Sequence, residues 1–176
     1  VLTVSMTVKA QNEVGKFSIA PTIGLNFATI SEVENEFKLG PLFGATAEYG
    51  VLQQLGISIG AHYSMQGTRF KDGHGATKNL NYLNIPILAN YYIWKGLSIK
   101  AGVQPSFLLS AKRGGDESIK DRCESLDVFI PIGISYEYEN WVLDARYGFG
   151  LIRPSNINLK GKNSVIQLMV GYKFNL

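Results

Sequence analysis

The stretch that decides the fold is residues 97–112, Leu97-Ser-Ile-Lys-Ala-Gly-Val-Gln-Pro-Ser-Phe-Leu-Leu-Ser-Ala-Lys112. Its odd-numbered positions are all apolar, and its even-numbered positions are polar or small with the exception of Leu108. A period of two indicates a β-strand with two different faces. The stretch is also far longer than a usual strand of about 5–6 residues. We therefore expect a long strand that separates an apolar environment from a polar one.

The same alternation recurs in seven further segments. They are Lys16–Ala28, Leu39–Val51, Leu55–Phe70, Asn79–Trp94, Leu126–Tyr138, Trp141–Arg153 and Asn163–Leu176. Long polar connections alternate with short turns between these segments. Each segment is long enough to cross a membrane, since spanning strands need only about 9–11 residues. An even strand number with long outer loops and short periplasmic turns is the pattern of bacterial outer-membrane barrels. The sequence thus predicts an all-β, eight-stranded antiparallel up-and-down transmembrane β-barrel in the bacterial outer membrane.

Length and composition suit one such domain. The chain has 176 residues, 45% of them hydrophobic, and we predict a single domain over residues 11–176. No run approaches about 18 consecutive apolar residues, so a membrane-spanning fold of this sequence has to use strands. Val1–Ala10 resembles the end of a secretory signal peptide that has lost its basic start. A short extra strand or a disordered arm is the alternative for that segment.

Charge and residue types argue against several other kinds of site. The net charge is only +3, and no basic stripe interleaved with aromatics points to nucleic acid. Cys123 is the single cysteine, which leaves a free thiol or an intermolecular disulfide. The two histidines, His62 and His74, have no clustered carboxylates beside them in the sequence. We therefore expect no metal and no other cofactor.

Aromatic residues are predicted to form two belts. Those near the short turns or the last strand end are Tyr49, Tyr91, Trp94, Tyr136, Tyr138, Trp141 and Phe174. Those toward the long connections are Phe27, Tyr63, Phe107, Tyr147 and Phe149. Aromatic rings favour both membrane interfaces because their bodies are apolar and their polar tips stay hydrated. Chance placement of common strand aromatics is the alternative.

Three segments carry a resemblance to a known family. Residues 82–88 (Tyr-Leu-Asn-Ile-Pro-Ile-Leu), the strand 102–112 and the ending 171–176 (Gly-Tyr-Lys-Phe-Asn-Leu) resemble the PorT-type outer-membrane β-barrel family over Lys16–Leu176. The resemblance implies a small eight-stranded barrel with a possible link to secretion or assembly in the cell envelope. The ending is similar to the C-terminal signal that the barrel-assembly machinery reads, with Leu176 in place of a final aromatic residue.

The inward face carries the charged side chains. By strand parity they are Lys16, Glu48, His62, Lys100, Glu137, Asp144, Arg146 and Lys173. Buried charges are expected to pair, and Asp144 and Arg146, two apart on one strand, are spaced for direct pairing. Eight strands leave an interior that side chains just fill. We expect a polar plug with a structural role, with a conducting pore as the alternative.

His62-Tyr63-Ser64 raises the possibility of an enzyme. A His-x-Ser pair on one strand face is similar to outer-membrane lipid A deacylases, in which serine attacks an acyl ester with histidine as base. Met65 stands where that family has an asparagine, and both residues fall on the predicted inner face. We expect no catalytic residues, and a lipid A-modifying enzyme remains the alternative that an outward orientation of the pair would support.

The long connections differ in charge. Glu32, Glu34 and Glu36 make the first acidic, whereas basic residues mark the second and the last: Arg69, Lys71, Lys78, Lys160 and Lys162. Basic residues there could contact lipopolysaccharide phosphates, although ordinary hydrated loops would look the same. We expect a non-enzymatic role through these loops, in contact with outer-membrane lipid and with a protein partner. A soluble lipocalin-like ligand-binding barrel, with the two faces reversed, is the remaining alternative.

Overall fold

The computed structural model describes residues 14–30, 38–69, 77–113, 117–118, 126–151 and 163–176. Val1–Ala10, Cys123, His74 and the three glutamates of the first loop lie outside these residues. Within the described part of the chain, no helix is long and apolar enough to cross a membrane.

The described residues form eleven β-elements. In chain order they are β1 Phe17–Ile30, β2 Lys38–Leu52, β3 Leu55–Arg69, β4 Thr77–Asn84, β5 Ile87–Trp94, β6 Leu97–Arg113, β7 Glu117–Ser118, β8 Leu126–Tyr138, β9 Trp141–Gly150, β10 Asn163–Tyr172 and β11 Phe174–Asn175. Neighbours pair in antiparallel fashion, and β10 and β11 pair with β1. The sheet therefore closes on itself, and the prediction of an eight-stranded antiparallel barrel is confirmed.

The two-residue β7 pairs only with the end of β6 and is not a spanning strand, and two of the eight spanning strands are each interrupted once. β4 and β5 form one strand in an unbroken register, because Asn84 faces Ser106 and Ile87 faces Val103 on β6. The ladder fails between them since Pro86 and the neighbouring Pro105 have no N–H to donate. β10 and β11 likewise form one strand, interrupted at Lys173, whose N–H donates to the Asn140 carbonyl at 2.6 Å. The predicted continuous strands Asn79–Trp94 and Asn163–Leu176 are therefore each split in two.

The two faces of the barrel match the alternation of the sequence. On β6, the inward side chains of Ser98, Lys100, Gln104 and Ser106 are at most 4% exposed. The outward side chain of Val103 is 47% exposed on the isolated barrel, and most of the other outward apolar side chains are exposed to a similar degree. Exposed aromatic rings stand at both ends of the outer surface. This distribution contradicts the lipocalin alternative, in which the apolar face would line a cavity.

The barrel interior is divided along its axis. Among the described side chains, the buried charged residues Glu48, Glu137 and Lys173 lie close to the short turns, whereas Asp127 lies at the end of β8 that follows a long connection. Large apolar side chains fill part of the other half: Leu42, Tyr82, Leu108, Phe129 and Val165, each at most 7% exposed. Leu108, which breaks the polar pattern of its strand, belongs to this apolar layer. Phe129 and Val165 pack together in this half, where buried polar side chains such as Asn26, Ser64 and Gln167 lie beside the apolar ones.

Candidate functional site

The ionisable side chains of the interior form the candidate site. All seven residues predicted to form the structural network are buried and face inward: Glu48, His62, Lys100, Glu137, Asp144, Arg146 and Lys173. Lys16 does not join the buried network, because it precedes β1 at the rim of the barrel, where its carbonyl still accepts the Gly50 N–H at 3.0 Å but its side chain is exposed.

Three of these residues form a central ion cluster. The Arg146 guanidinium donates to the Asp144 carboxylate twice, from Nε to Oδ1 at 2.7 Å and from Nη2 to Oδ2 at 2.9 Å. The Lys100 ammonium on β6 donates to Asp144 Oδ2 on β9 at 2.7 Å, past the intervening strand β8. Charge-assisted, bidentate contacts of this kind are the strong ones. Two cations here share one carboxylate, so the cluster carries an excess positive charge.

A second group, the mouth cluster, lies closer to the short turns. Lys173 Nζ contacts the Glu137 carboxylate oxygens at 3.0 and 3.1 Å and lies 3.7 Å from Glu48 Oε1. The Tyr92 hydroxyl lies 2.5 Å from Glu48 and 2.8 Å from Glu137, and its single proton can serve only one of them at a time. Asn90 Nδ2 donates to Glu48 Oε2 at 2.8 Å. With two carboxylates and one ammonium, this cluster carries the compensating negative charge.

A small cavity joins the two clusters. Its volume is about 30 Å³, and its lining includes Glu48 and Lys173 of the mouth cluster and Lys100 and Arg146 of the central cluster. The lining also includes Thr22, whose hydroxyl is buried without a hydrogen-bond partner among the described residues. A polar cavity of this size suits about two water molecules. Among the described residues, the charged interior is thus largely filled by side chains, with only a small space between the two clusters.

His62 and Ser64 both face the interior. His62 is 1% exposed, and its Nε2 lies 3.1 Å from the Thr46 hydroxyl. The Ser64 hydroxyl accepts a hydrogen bond from Asn26 Nδ2 at 2.8 Å, and Gln167 Nε2 donates to Asn26 Oδ1 at 3.2 Å. This pair therefore does not adopt the outward orientation that a lipid-modifying enzyme needs.

Several members of the interior network escaped the sequence analysis. Tyr92 and Asn90 have inward parity on β5, and Thr46 has inward parity on β2, but all three are uncharged at neutral pH. Charge together with parity therefore does not identify them. Tyr92 faces Ser98 across the short β5–β6 turn, and Ser98 shares the inward face of β6 with Lys100. Inward parity and this turn together would have placed Tyr92 near the charged residues.

The charged groups of the interior are held in ion pairs and hydrogen bonds with one another. Within the described residues, no group of three or more His, Cys, Asp or Glu side chains is placed to hold a metal ion. The carboxylates of the two clusters are engaged by lysine, arginine, tyrosine or asparagine. Such a network can cross-link strands that are distant in sequence, as Lys100 on β6 does with Asp144 on β9.

A closed eight-stranded barrel with an apolar exterior, aromatic belts and a charged, packed interior defines the class of small outer-membrane β-barrels. The comparison with protein families agrees: the family described as outer membrane protein beta-barrel domain matches residues 9–154. The chain belongs to this family, and the predicted location in the bacterial outer membrane is confirmed. No curated protein sequence matches it.

Solved structures share the fold at low sequence identity. The attachment invasion locus protein Ail of Yersinia pestis, in complex with the heparin analogue sucrose octasulfate, is 16% identical with a TM-score of 0.60, covering 92% of this chain and 100% of Ail. Neisserial surface protein A is 17% identical with a TM-score of 0.59, covering 90% and 97% of the two chains. OprG from Pseudomonas aeruginosa is 14% identical with a TM-score of 0.51, covering 93% and 97%.

Proposed function

We propose that this outer-membrane barrel is non-enzymatic, that its interior is a structural core, and that its interactions are made by the long connections. The observation that carries the proposal is the filled interior, in which Lys100, Arg146 and Lys173 are each bound to a buried carboxylate. A core of this kind leaves the extramembrane loops as the variable, accessible part of the molecule. The inward orientation of His62 and Ser64 supports the absence of a lipid-modifying activity.

The long connections are proposed to bind a polyanion, with lipopolysaccharide phosphates as the natural example. The support is the basic character of the second and last connections in the sequence, which carry Lys71 and Lys160 among others. Ail, which shares the fold, is known in complex with a heparin analogue. Clustered cations bind phosphate and sulfate groups through charge-assisted hydrogen bonds, and salt weakens such binding when the site is exposed.

The test is a binding titration of sucrose octasulfate and of purified lipopolysaccharide to the full chain in bilayer nanodiscs. We expect binding that weakens with ionic strength and is lost in a Lys71→Gln, Lys160→Gln double variant. Lys95→Gln is the matched control, because Lys95 is exposed in the short β5–β6 turn at the opposite end of the barrel. Binding that survives the double variant, or that Lys95→Gln reduces equally, would refute the proposal.

A role in envelope secretion or assembly is the second candidate. Its support is the resemblance of residues 82–88, 102–112 and 171–176 to PorT-type barrels. The same ending supports contact with the barrel-assembly machinery during insertion. Deleting the last two residues, Asn175 and Leu176, should slow insertion of the chain by purified assembly machinery, and an unchanged rate would remove that support.

A further inference from the structure

The Arg146 side chain has one nitrogen that the central ion cluster does not use. Its Nε and Nη2 donate to Asp144, whereas Nη1 is buried without a hydrogen-bond partner among the described residues. The side chain is only 3% exposed, so bulk water does not reach it. A guanidinium donates hydrogen bonds and cannot accept them, and an unsatisfied buried charged donor is costly. The group that satisfies Nη1 therefore has to be a hydrogen-bond acceptor.

Two more donors line the same space as Arg146. The small cavity of about 30 Å³ between the two clusters is lined by Arg146, Lys100 and Thr22, on three different strands. The Thr22 hydroxyl is buried and has no partner in the described part of the chain. The Lys100 ammonium has three hydrogens and donates to one acceptor among these residues, Asp144 Oδ2. Donors from β1, β6 and β9 thus line one cavity.

The cavity exists because small residues stand beside the large charged ones. β1 contributes Ser18, Ala20 and Thr22, and β10 places Gly171 opposite Thr22. A Cβ atom at position 171 would lie 2.8 Å from Thr22 Cγ2, which is too close for two carbon atoms. Any side chain there would therefore displace Thr22. Glycine at this position leaves room for the Thr22 side chain at the cavity wall.

The charge of the central cluster selects the kind of acceptor. Asp144 is the one carboxylate among the described residues that forms an ion pair with Lys100 or Arg146. The carboxylates of Glu48 and Glu137 are bound to donors of the mouth cluster instead. Two positive charges thus share one negative charge in a buried site. A water molecule accepts a hydrogen bond but leaves this excess charge uncompensated, whereas an anion compensates it.

We propose that the cavity beside Arg146 Nη1 and Thr22 Oγ1 binds one halide-sized monovalent anion, with chloride as the natural example. A halide accepts several hydrogen bonds at once, and a space that suits about two water molecules holds such an ion with one water. Organic anions such as gluconate are too large for it. The bound ion ties β1 to β6 and β9 in the interior. This site is separate from the long connections, so it does not depend on polyanion binding there.

The first test locates the ion. Crystals of the full chain in detergent are grown in sodium bromide, and bromide is located by its anomalous scattering. We expect one bromide in contact with Arg146 Nη1 and Thr22 Oγ1. Crystals grown in sodium gluconate should show no anomalous peak there. A cavity that contains only water in sodium bromide would overturn the proposal.

The second test measures binding through stability. Urea unfolding in lipid vesicles is followed at constant ionic strength while chloride replaces gluconate. Because one ion binds only the folded chain, the folding equilibrium constant should rise about tenfold for each tenfold increase in chloride above the dissociation constant. A stability that does not change with chloride would contradict the proposal, and a bromide peak would then reflect binding at crystal concentration only.

Matched variants assign the chloride dependence to the cavity. Thr22→Val removes one donor to the anion and keeps the branched shape, so it should raise the chloride dissociation constant about tenfold or more. Ser98→Ala is the control and should leave the dependence unchanged, because the Ser98 hydroxyl is also buried without a partner among the described residues but does not line the cavity. Arg146→Lys, which keeps the positive charge and removes Nη1, is the second variant if Thr22→Val does not fold. The gel mobility shift on boiling checks folding.

Two results with these variants would also overturn the proposal. One is a chloride dependence that Thr22→Val leaves unchanged, because the ion would then bind elsewhere, for example at the long connections. The other is an equal loss of the dependence in Thr22→Val and Ser98→Ala, because the cavity lining would then have no special part in binding.

Discussion

Removing the Lys173 ammonium tests the structural role of the mouth cluster. Lys173→Met keeps much of the side-chain volume but leaves Glu48 and Glu137 buried with only one tyrosine proton and one amide as donors. Removing one member of a buried ion pair costs about 3–5 kcal/mol. Lys173 is 9% exposed near the periplasmic mouth, where water can partly replace it. We therefore expect the low end, a loss of about 3 kcal/mol in the free energy of unfolding.

The assay is reversible urea unfolding of the purified barrel in lipid vesicles, with the slope of free energy against urea compared between variants. A double-mutant cycle with Glu137→Gln separates the pair from the loss of packing. We expect Glu137→Gln to recover about 2 kcal/mol in the Lys173→Met background, since it removes the uncompensated charge. Lys95→Met, at an exposed lysine, is the control and should leave stability unchanged. A Lys173→Met loss no larger than this control, or an additive cycle, would refute a structural mouth cluster.

Three further predictions concern other parts of the barrel. Ile130→Arg, on the lipid face of β8, should cost about 2–4 kcal/mol near the midplane, and a wild-type urea midpoint would contradict the facing assignment. Phe129→Ala, at a side chain that is 2% exposed, should cost about 3–5 kcal/mol, with a smaller loss indicating that the apolar layer is loosely packed. In planar bilayers we expect no steady single-channel conductance, and reproducible conducting steps would support the pore alternative.

The fold could be predicted from the sequence because the relevant signal is local and repeated. Strict alternation in residues 97–112 assigns each side chain to one face without any knowledge of its neighbours. Alternating long and short connections then set the antiparallel order. The breaks at Pro86 and Lys173 escaped prediction for the opposite reason. Each break depends on a neighbouring strand or turn. Pro105 on β6 lies beside the break at Pro86, and Asn140 and strand β1 lie beside the break at Lys173.

The interior site could be predicted only in outline. Inward parity identified Glu48, Lys100 and Arg146, and the spacing of two residues predicted the pair that Arg146 forms with Asp144. The partners that lie on other strands depend on register and tilt accumulated around the closed barrel. Lys100 reaches Asp144 from another strand, and no spacing in the sequence encodes that contact. Tyr92 contacts two carboxylates although it carries no charge at neutral pH, so a search for opposite charges could not find it.

The central claim is that these strands cross the outer membrane with the apolar face toward lipid and the charged face enclosed. The most direct test extracts the folded chain with and without detergent and compares its gel mobility before and after boiling. The account predicts a protein that stays in solution only with detergent and whose mobility shifts on boiling, as the closed barrel unfolds. A water-soluble monomer with unchanged mobility would contradict it.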